Sequence, residues 1–232
     1  LVGALKNAQL AKEIYPDWVC RFYVGQSVPS PVISQLEQTD NVQVVRRPEF
    51  GDWRGMYWRF EAASETGLEA MISRDTDSRL NHREKAAVEA WLASEKGFHI
   101  MRDHPQHKFP VLGGMWGIKG GVLPEMSALI ESFAQQDAYG TDYKFFAEAV
   151  LPILDASTIM IHDEFFDGIP FPTKRNGLEF VGEVFDESDN NVPEHQHVLG
   201  TYLQSKEQLF VYHHLGLGDH LDCNAMVRIF LN

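Results

Sequence analysis

Two aspartates one residue apart, Asp75 and Asp77, follow the apolar run Ala70-Met-Ile-Ser73 and are flanked by Arg74 and Arg79. An apolar segment ending in Asp-x-Asp puts two carboxylates where a buried strand leaves a sheet, the place where open α/β sheets bind ligands. Paired carboxylates suit a hard divalent cation, and Arg74 and Arg79 suit phosphate, with Ser73 beside them. Metal plus phosphate points to a nucleotide-diphosphate substrate. Taken alone, the pair describes a solvated turn equally well, with an aspartate capping the next helix. A second apolar run, Ile159-Met-Ile161, ends in His162 and Asp163. Imidazole joined to carboxylates favours Mn2+, with Mg2+ as the alternative, and makes His162 the candidate third ligand beside Asp75 and Asp77.

Other residues are less specific. Asp142 opens a helical pattern, where an acid favoured by the helix dipole is the plain reading. His99, Arg102, Asp103, His104 and His107 form a polar cluster after a strand, by default a surface loop. Gly113-Gly-Met-Trp-Gly-Ile-Lys-Gly-Gly121 is glycine-rich but lacks the Gly-x-Gly-x-x-Gly order of a dinucleotide fingerprint. Glycines beside Trp116 instead suit close approach of the backbone to a flat ligand such as a sugar ring. Lys174 and Arg175, in a proline-bounded loop, add further candidates for phosphate.

The elements that must position these groups alternate. Helical spacing over Leu1–Tyr15 is stopped by Pro16, and Val19–Val24 reads as a strand. A short helix over Pro31–Gln38 precedes a strand at Asn41–Val45, a helix at Trp53–Ser64 and the strand Ala70–Ser73. Asn81 or His82 caps a helix running to about Ser94. Strands at Gly97–Met101 and Gly114–Ile118 come before helices at Pro124–Phe133 and Asp142–Leu151, then strands at Thr158–Ile161 and Leu178–Phe185. The alternation predicts an α/β domain, a mostly parallel sheet with helices on both faces. Residues 1–188 form this domain. Residues 189–232 read as a linker and the truncated start of a second α/β domain, from the polar stretch Asp186–Pro193 and a new strand at Gln208–His213. Leu1 opens in helical pattern and Asn232 closes in another, so the sequence reads as part of a longer chain.

The 232 residues are enough to bury a sizeable core. A net charge of −13 argues against nucleic acid as the main partner. Two cysteines, Cys20 and Cys223, are too few for a disulfide framework, which favours a reducing compartment and a cytoplasmic location. No run reaches the length of a membrane span.

In order along the chain, Ile72-Ser-Arg-Asp-Thr-Asp-Ser-Arg79, Gly114-Met-Trp-Gly117, Gly140-Thr-Asp142 and Ile161-His-Asp163 resemble the GT-A class of nucleotide-sugar-dependent glycosyltransferases, in its bacterial and viral forms. The likeness spans roughly Leu1 to Phe185. It implies a Rossmann-like GT-A fold and metal-dependent transfer of a sugar, of hexosyltransferase type, from a nucleotide-diphosphate donor to a hydroxyl or glycan acceptor. By position, Asp75 would face ribose or metal, Asp77 and His162 would bind metal, Trp116 would shape the sugar pocket, and Asp142 would stand near the reacting sugar. Asp142 or Asp163 would serve as base if the anomeric centre inverts. The class normally begins with a strand and loop that grip the base, and that N-terminal strand is missing before Leu1. His213-His-Leu-Gly-Leu-Gly-Asp219 is similar to the opening of GT-B transferases of the heptosyltransferase type. The fusion implies surface polysaccharide or other glycan assembly, at the inner face of a membrane. Two rivals stand beside this reading. Haloacid-dehalogenase phosphatases also place Asp-x-Asp after a strand, but usually carry Thr or Val where this chain has Arg79. A sugar-binding scaffold that keeps the fold without catalysis is the other.

Overall fold

The computed structural model describes residues 2–133 and 141–207. The α/β class expected from the alternation is what the chain adopts. Helix α1 (Val2–Ile14) leads into strand β1 (Cys20–Val24), helix α2 (Ser30–Glu37) and strand β2 (Val42–Arg46). A long 3-10 helix, Trp53–Ser64, then precedes β3 (Ala70–Ser73), α3 (His82–Leu92), β4 (Phe98–Arg102) and β5 (Trp116–Lys119). Helices α4 (Met126–Phe133) and α5 (Thr141–Phe145), short π and 3-10 turns over Phe146–Val150, Leu151–Ile153 and Ala156–Thr158, strand β6 (Ile159–Asp163) and helix α6 (Pro193–Glu207) complete the described elements.

β1 and β2 pair in parallel as a small sheet of their own. The second sheet has the order β3-β5-β4-β6. Its β4–β6 ladder is parallel, while β5 runs against both β3 and β4. The carboxyl ends of β3, β4 and β6 therefore lie at one edge of the sheet, together with the start of β5. The motifs around Asp75, His99–His107, Gly113–Trp116 and His162–Asp163 all depart from that edge or end there.

An aromatic core packs on this sheet. Phe60, Phe98, Trp116, Phe145 and Phe146 are completely buried in one cluster. Trp116 stacks on Phe98 with ring centroids 5.3 Å apart, and Phe60 meets it edge-on at 5.4 Å. Each such side chain contributes about 1.5–3 kcal/mol by leaving water. Asn81 caps α3, its Oδ1 accepting from the Glu84 backbone N–H at 2.8 Å, as the sequence predicts. Asn7 of α1 donates to the Ser78 carbonyl at 2.7 Å and accepts from the Leu80 N–H at 3.1 Å, fastening the first helix to the segment after Asp77.

Two expected elements differ. Leu178–Phe185 forms turns instead of a strand: Gly177 and Gly182 take positive φ angles of 58° and 82°, and Val184 and Phe185 make isolated bridges to Ser78 and Asn191. The linker expected from residue 189 onward instead folds back as helix α6. Leu199 is completely buried, and Gln196 donates to Glu183 at 2.7 Å. The strand expected at Gln208–His213 and the glycine turn after it lie outside the described residues. Among the described residues, no helix is long and apolar enough to cross a membrane.

Candidate active site

The acidic turn comes directly off β3. Ser78 closes it by donating its backbone N–H and its hydroxyl to the Asp75 carbonyl, at 3.3 and 2.9 Å. Asp75 and Asp77 are exposed. The Asp77 carboxyl is held above the ordinary carboxylate range, first by the shelter it finds in the turn and next by the negative charge of Asp75. Two like charges confined to one turn favour a cation between or beside them.

Because β5 is antiparallel to β3, its start lies against the turn, with Ser73 paired to Trp116. The Gly113 carbonyl accepts from the Ser73 hydroxyl at 2.6 Å and from the Trp116 indole N–H at 3.1 Å. Its N–H donates to Asp142 Oδ2 at 3.1 Å. The next residue touches the other carboxylate: a Cβ on Gly114 would stand 2.2 Å from Asp75 Oδ2, and one on Gly113 would stand 2.5 Å from Asp142 Oδ2. Two consecutive glycines thus admit two carboxylates from different elements along one stretch of backbone, and any side chain there would push them out.

Arg59, from the 3-10 helix, joins this group. Its Nη1 lies 2.5 Å from Asp75 Oδ1 and donates to the Arg74 carbonyl at 2.9 Å. Its Nη2 comes within 3.0 Å of the Gly113 Cβ position, on the side of Asp142. Its Nε is buried without a hydrogen-bond partner. Sequence reasoning missed Arg59. The signal was a lone guanidinium in the aromatic stretch Tyr57-Trp-Arg-Phe60, a charge that needs a counter-ion close by.

The structure brings Asp75 and Asp142 to one stretch of backbone, with Asp77 in the same turn as Asp75, but it sends other expected residues elsewhere. His162 is 1% exposed, inside β6, with Nδ1 2.7 Å from His99 Nε2. His99 stacks on Trp91, and its Nδ1 is buried without a partner. The two rings share one hydrogen across this contact, which occupies His162 Nδ1. Burial pushes the two imidazoles far below the usual range, His162 to about 4 and His99, which also faces His162, to about 2. Among the described residues no group of three or more His, Cys, Asp or Glu side chains is arranged to hold a metal ion. The expected trio of Asp75, Asp77 and His162 is not assembled among the described residues.

Asp163, the second candidate base, is equally occupied. Its Oδ1 accepts from the backbone N–H groups of Phe165 and Phe166 at 2.8 and 3.0 Å, and its Oδ2 lies 2.7 Å from Arg102. It shapes the turn after β6 and is 4% exposed, out of reach of an acceptor arriving from solvent. Trp116 presents no ring face to a ligand because it is completely buried. With Ser73, it acts on the site through Gly113. Arg74 is spent on Glu84 at 2.8 Å and on the carbonyls of Ser73 and Trp116. Arg79 is spent on Asp189 at 2.8 Å and on the carbonyls of Thr76 and Ser78, with its plane over Phe185. Both arginines shape the turn from inside. Lys174 is exposed and has no bonded partner among the described residues. Its neighbour Arg175 is engaged with Asp103 at 2.6 Å.

The polar cluster after β4 is no surface loop either. Asp103 is completely buried, gripped by Arg83 at 2.9 and 3.0 Å, by Arg175, and by the Val181 N–H at 2.9 Å. His104 donates from Nε2 to the His195 carbonyl at 3.0 Å, while its Nδ1 accepts from the Gln106 N–H.

No protein-family profile matches the sequence, and no curated protein does. Among solved structures, the chain is similar to a glycosyltransferase involved in glycosylation of the major capsid of PBCV-1. Identity is 14%, the match covers 70% of this chain and 75% of that one, and the TM-score is 0.47. It is also similar to a 4-diphosphocytidyl-2C-methyl-D-erythritol synthase from Anaerococcus prevotii, at 10% identity, with 87% and 86% of the two chains covered and a TM-score of 0.48. At these identities and TM-scores, neither likeness assigns a role to any residue of this chain.

Proposed function

We propose that this chain is a metal-dependent glycosyltransferase that moves a sugar from a nucleotide-diphosphate donor to a hydroxyl of a glycan acceptor. The observation that carries the reading is the approach of Asp75 and Asp142 to one stretch of backbone, Gly114 and Gly113, at the end of the sheet where the Asp75–Asp77 turn leaves β3. The motif order that resembles the GT-A class supports it independently.

The residues fit a divalent cation in part. Asp75 and Asp77 offer oxygen donors in an exposed turn, which suits Mg2+ or Mn2+, and a diphosphate would complete the coordination that His162 does not. A cation bound there would supply Lewis-acid stabilisation of charge gathering on the departing diphosphate. The chain's own groups do the rest. Arg59, already on Asp75, has a guanidinium edge turned toward Gly113 with which to bond a phosphate oxygen. The Gly113–Gly114 backbone lets a donor sugar approach closely. Asp142 has one oxygen fixed by the Gly113 N–H, which orients the other to take the acceptor proton in an inverting transfer.

The test is thermal denaturation of the chain with UDP-, GDP- and CDP-sugars, each with Mn2+, with Mg2+ and without metal. At least one donor is expected to raise the melting temperature only when metal is present, and Asp77→Ala to abolish the rise. No stabilisation by any donor under any condition overturns the reading and leaves the sugar-binding scaffold in its place.

A further inference from the structure

Beside Asp142 stands an aromatic pair that the donor chemistry does not use. Phe109, in the loop between β4 and β5, stacks on Tyr143, the residue after Asp142, with ring centroids 4.1 Å apart and planes 16° from parallel. Phe109 is nevertheless 41% exposed. One of its faces is taken by Tyr143, so that exposure belongs to the other face and the rim. A phenyl ring left open to water is costly when a short rotation could bury it, and here the stack fixes its plane. The surroundings are polar: Gln106, Lys108 and Lys144 are all exposed. An apolar face the size of one ring, set among polar groups, is too small for a protein interface. It matches the C–H face of a pyranose.

We propose that Phe109, backed by Tyr143, is the platform on which the acceptor's terminal pyranose ring stacks, with a hydroxyl of that ring directed to Asp142. This deepens the transferase reading and rests on it. The two groups stand on neighbouring residues, Tyr143 against Phe109 and Asp142 just before it. In the proposed complex the flat apolar surface receives the axial C–H bonds, and the carboxylate of Asp142 accepts from a hydroxyl. Asp142 Oδ2 is held by the Gly113 N–H, so the hydroxyl meets a carboxylate already fixed in place. Tyr143 keeps Phe109 from turning edge-on and is a positioning residue.

Saturation-transfer NMR with methyl glucosides, galactosides, mannosides and rhamnosides tests the platform, in the presence of Mg2+ and whichever nucleoside diphosphate stabilises the chain. At least one glycoside is expected to receive saturation at its ring C–H protons. Phe109→Leu keeps apolar bulk without the aromatic face and should weaken that glycoside about tenfold, the scale of one aromatic contact. Phe109→Tyr should restore it. Unchanged glycoside affinity in Phe109→Leu, or no saturation of any glycoside on the wild-type chain while the nucleotide still binds, overturns the platform and leaves the transferase reading intact. Failure of every nucleotide to bind removes the transferase reading, and with it the platform.

Discussion

Asp103 and Asp77 stand at the same end of one sheet and face opposite circumstances. Asp103 is completely buried, and two arginines and a backbone N–H satisfy it. Asp77 is exposed, has Asp75 as its charged neighbour, and is held partly toward its neutral form. A carboxylate bonded on every side has no capacity left for a ligand, so the first arrangement fixes the fold. The second leaves a carboxylate with no hydrogen bond to another side chain among the described residues where solvent and substrate can reach it, which is a cost that function explains better than stability does. The Asp103 cluster also draws Arg83 of α3 and Arg175 and Val181 of the loop after β6 onto the end of β4, so it braces the edge from which the acidic turn departs.

Removing each carboxylate should separate the two roles. Asp103→Ala strands two guanidiniums in the interior and should cost about 3–5 kcal/mol, read as a fall in the urea midpoint, with refolding lost at 37 °C. Asp77→Ala should change stability by less than about 0.5 kcal/mol while abolishing metal-dependent donor binding. If the two variants were equally destabilised, the division into brace and site would fail.

Next in size is Gly114→Ala. Its methyl group would stand 2.2 Å from Asp75 Oδ2, so the carboxylate must turn away, and a displacement of that order is expected to lower transfer about a hundredfold. Gly113→Ala presses hardest on Asp142 Oδ2, at 2.5 Å, and only then on Arg59 Nη2, at 3.0 Å, so it should lower transfer with a smaller loss of donor binding than Gly114→Ala. Equal loss of donor binding in both variants would merge the two roles that the consecutive glycines keep apart.

How far the sequence revealed this site follows from what each signal encodes. The apolar run before Asp75 and the cap at Asn81 are local, and both are where the residues predict. The direction of β5 is not local: a short apolar run reads the same either way, and that reversal is what brings Gly113 and Gly114 to the turn. His162 and Asp163 ended an apolar strand just as Asp75 followed one, yet what consumed them lay far away in sequence, on His99 and Arg102. A ligand-like residue type at a strand end is thus legible, whereas its availability is decided by partners that spacing cannot show. Arg59 is the converse case, since its counter-ion Asp75 lies sixteen positions on, across a turn and a strand.

The buried histidines give the next prediction. Both imidazoles ionise below 6.5 in the folded chain, so the unfolded chain binds more protons below that pH, and stability must fall as pH falls from about 6.5 toward 4. Each contributes a slope of about 1.4 kcal/mol per pH unit across the part of that window above its folded value. Urea denaturation at stepped pH should show His162→Gln with a shallower acid limb than the wild type. Superimposable limbs would mean that the pair titrates as if exposed.

The smallest effect has the opposite sign and belongs to the site. The Asp77 carboxyl is raised above its unfolded value, so in the window between the two the folded chain holds a proton that the unfolded chain has released. Stability of the metal-free protein therefore declines as pH rises through that window, and Asp77→Asn should remove the decline. Mg2+ or Mn2+ binds the carboxylate and not the acid, so with metal present the same rise in pH should strengthen binding and turn the slope upward. A slope that metal leaves unchanged would place the cation away from Asp77, and the contrast with Asp103 would then reduce to a difference in burial.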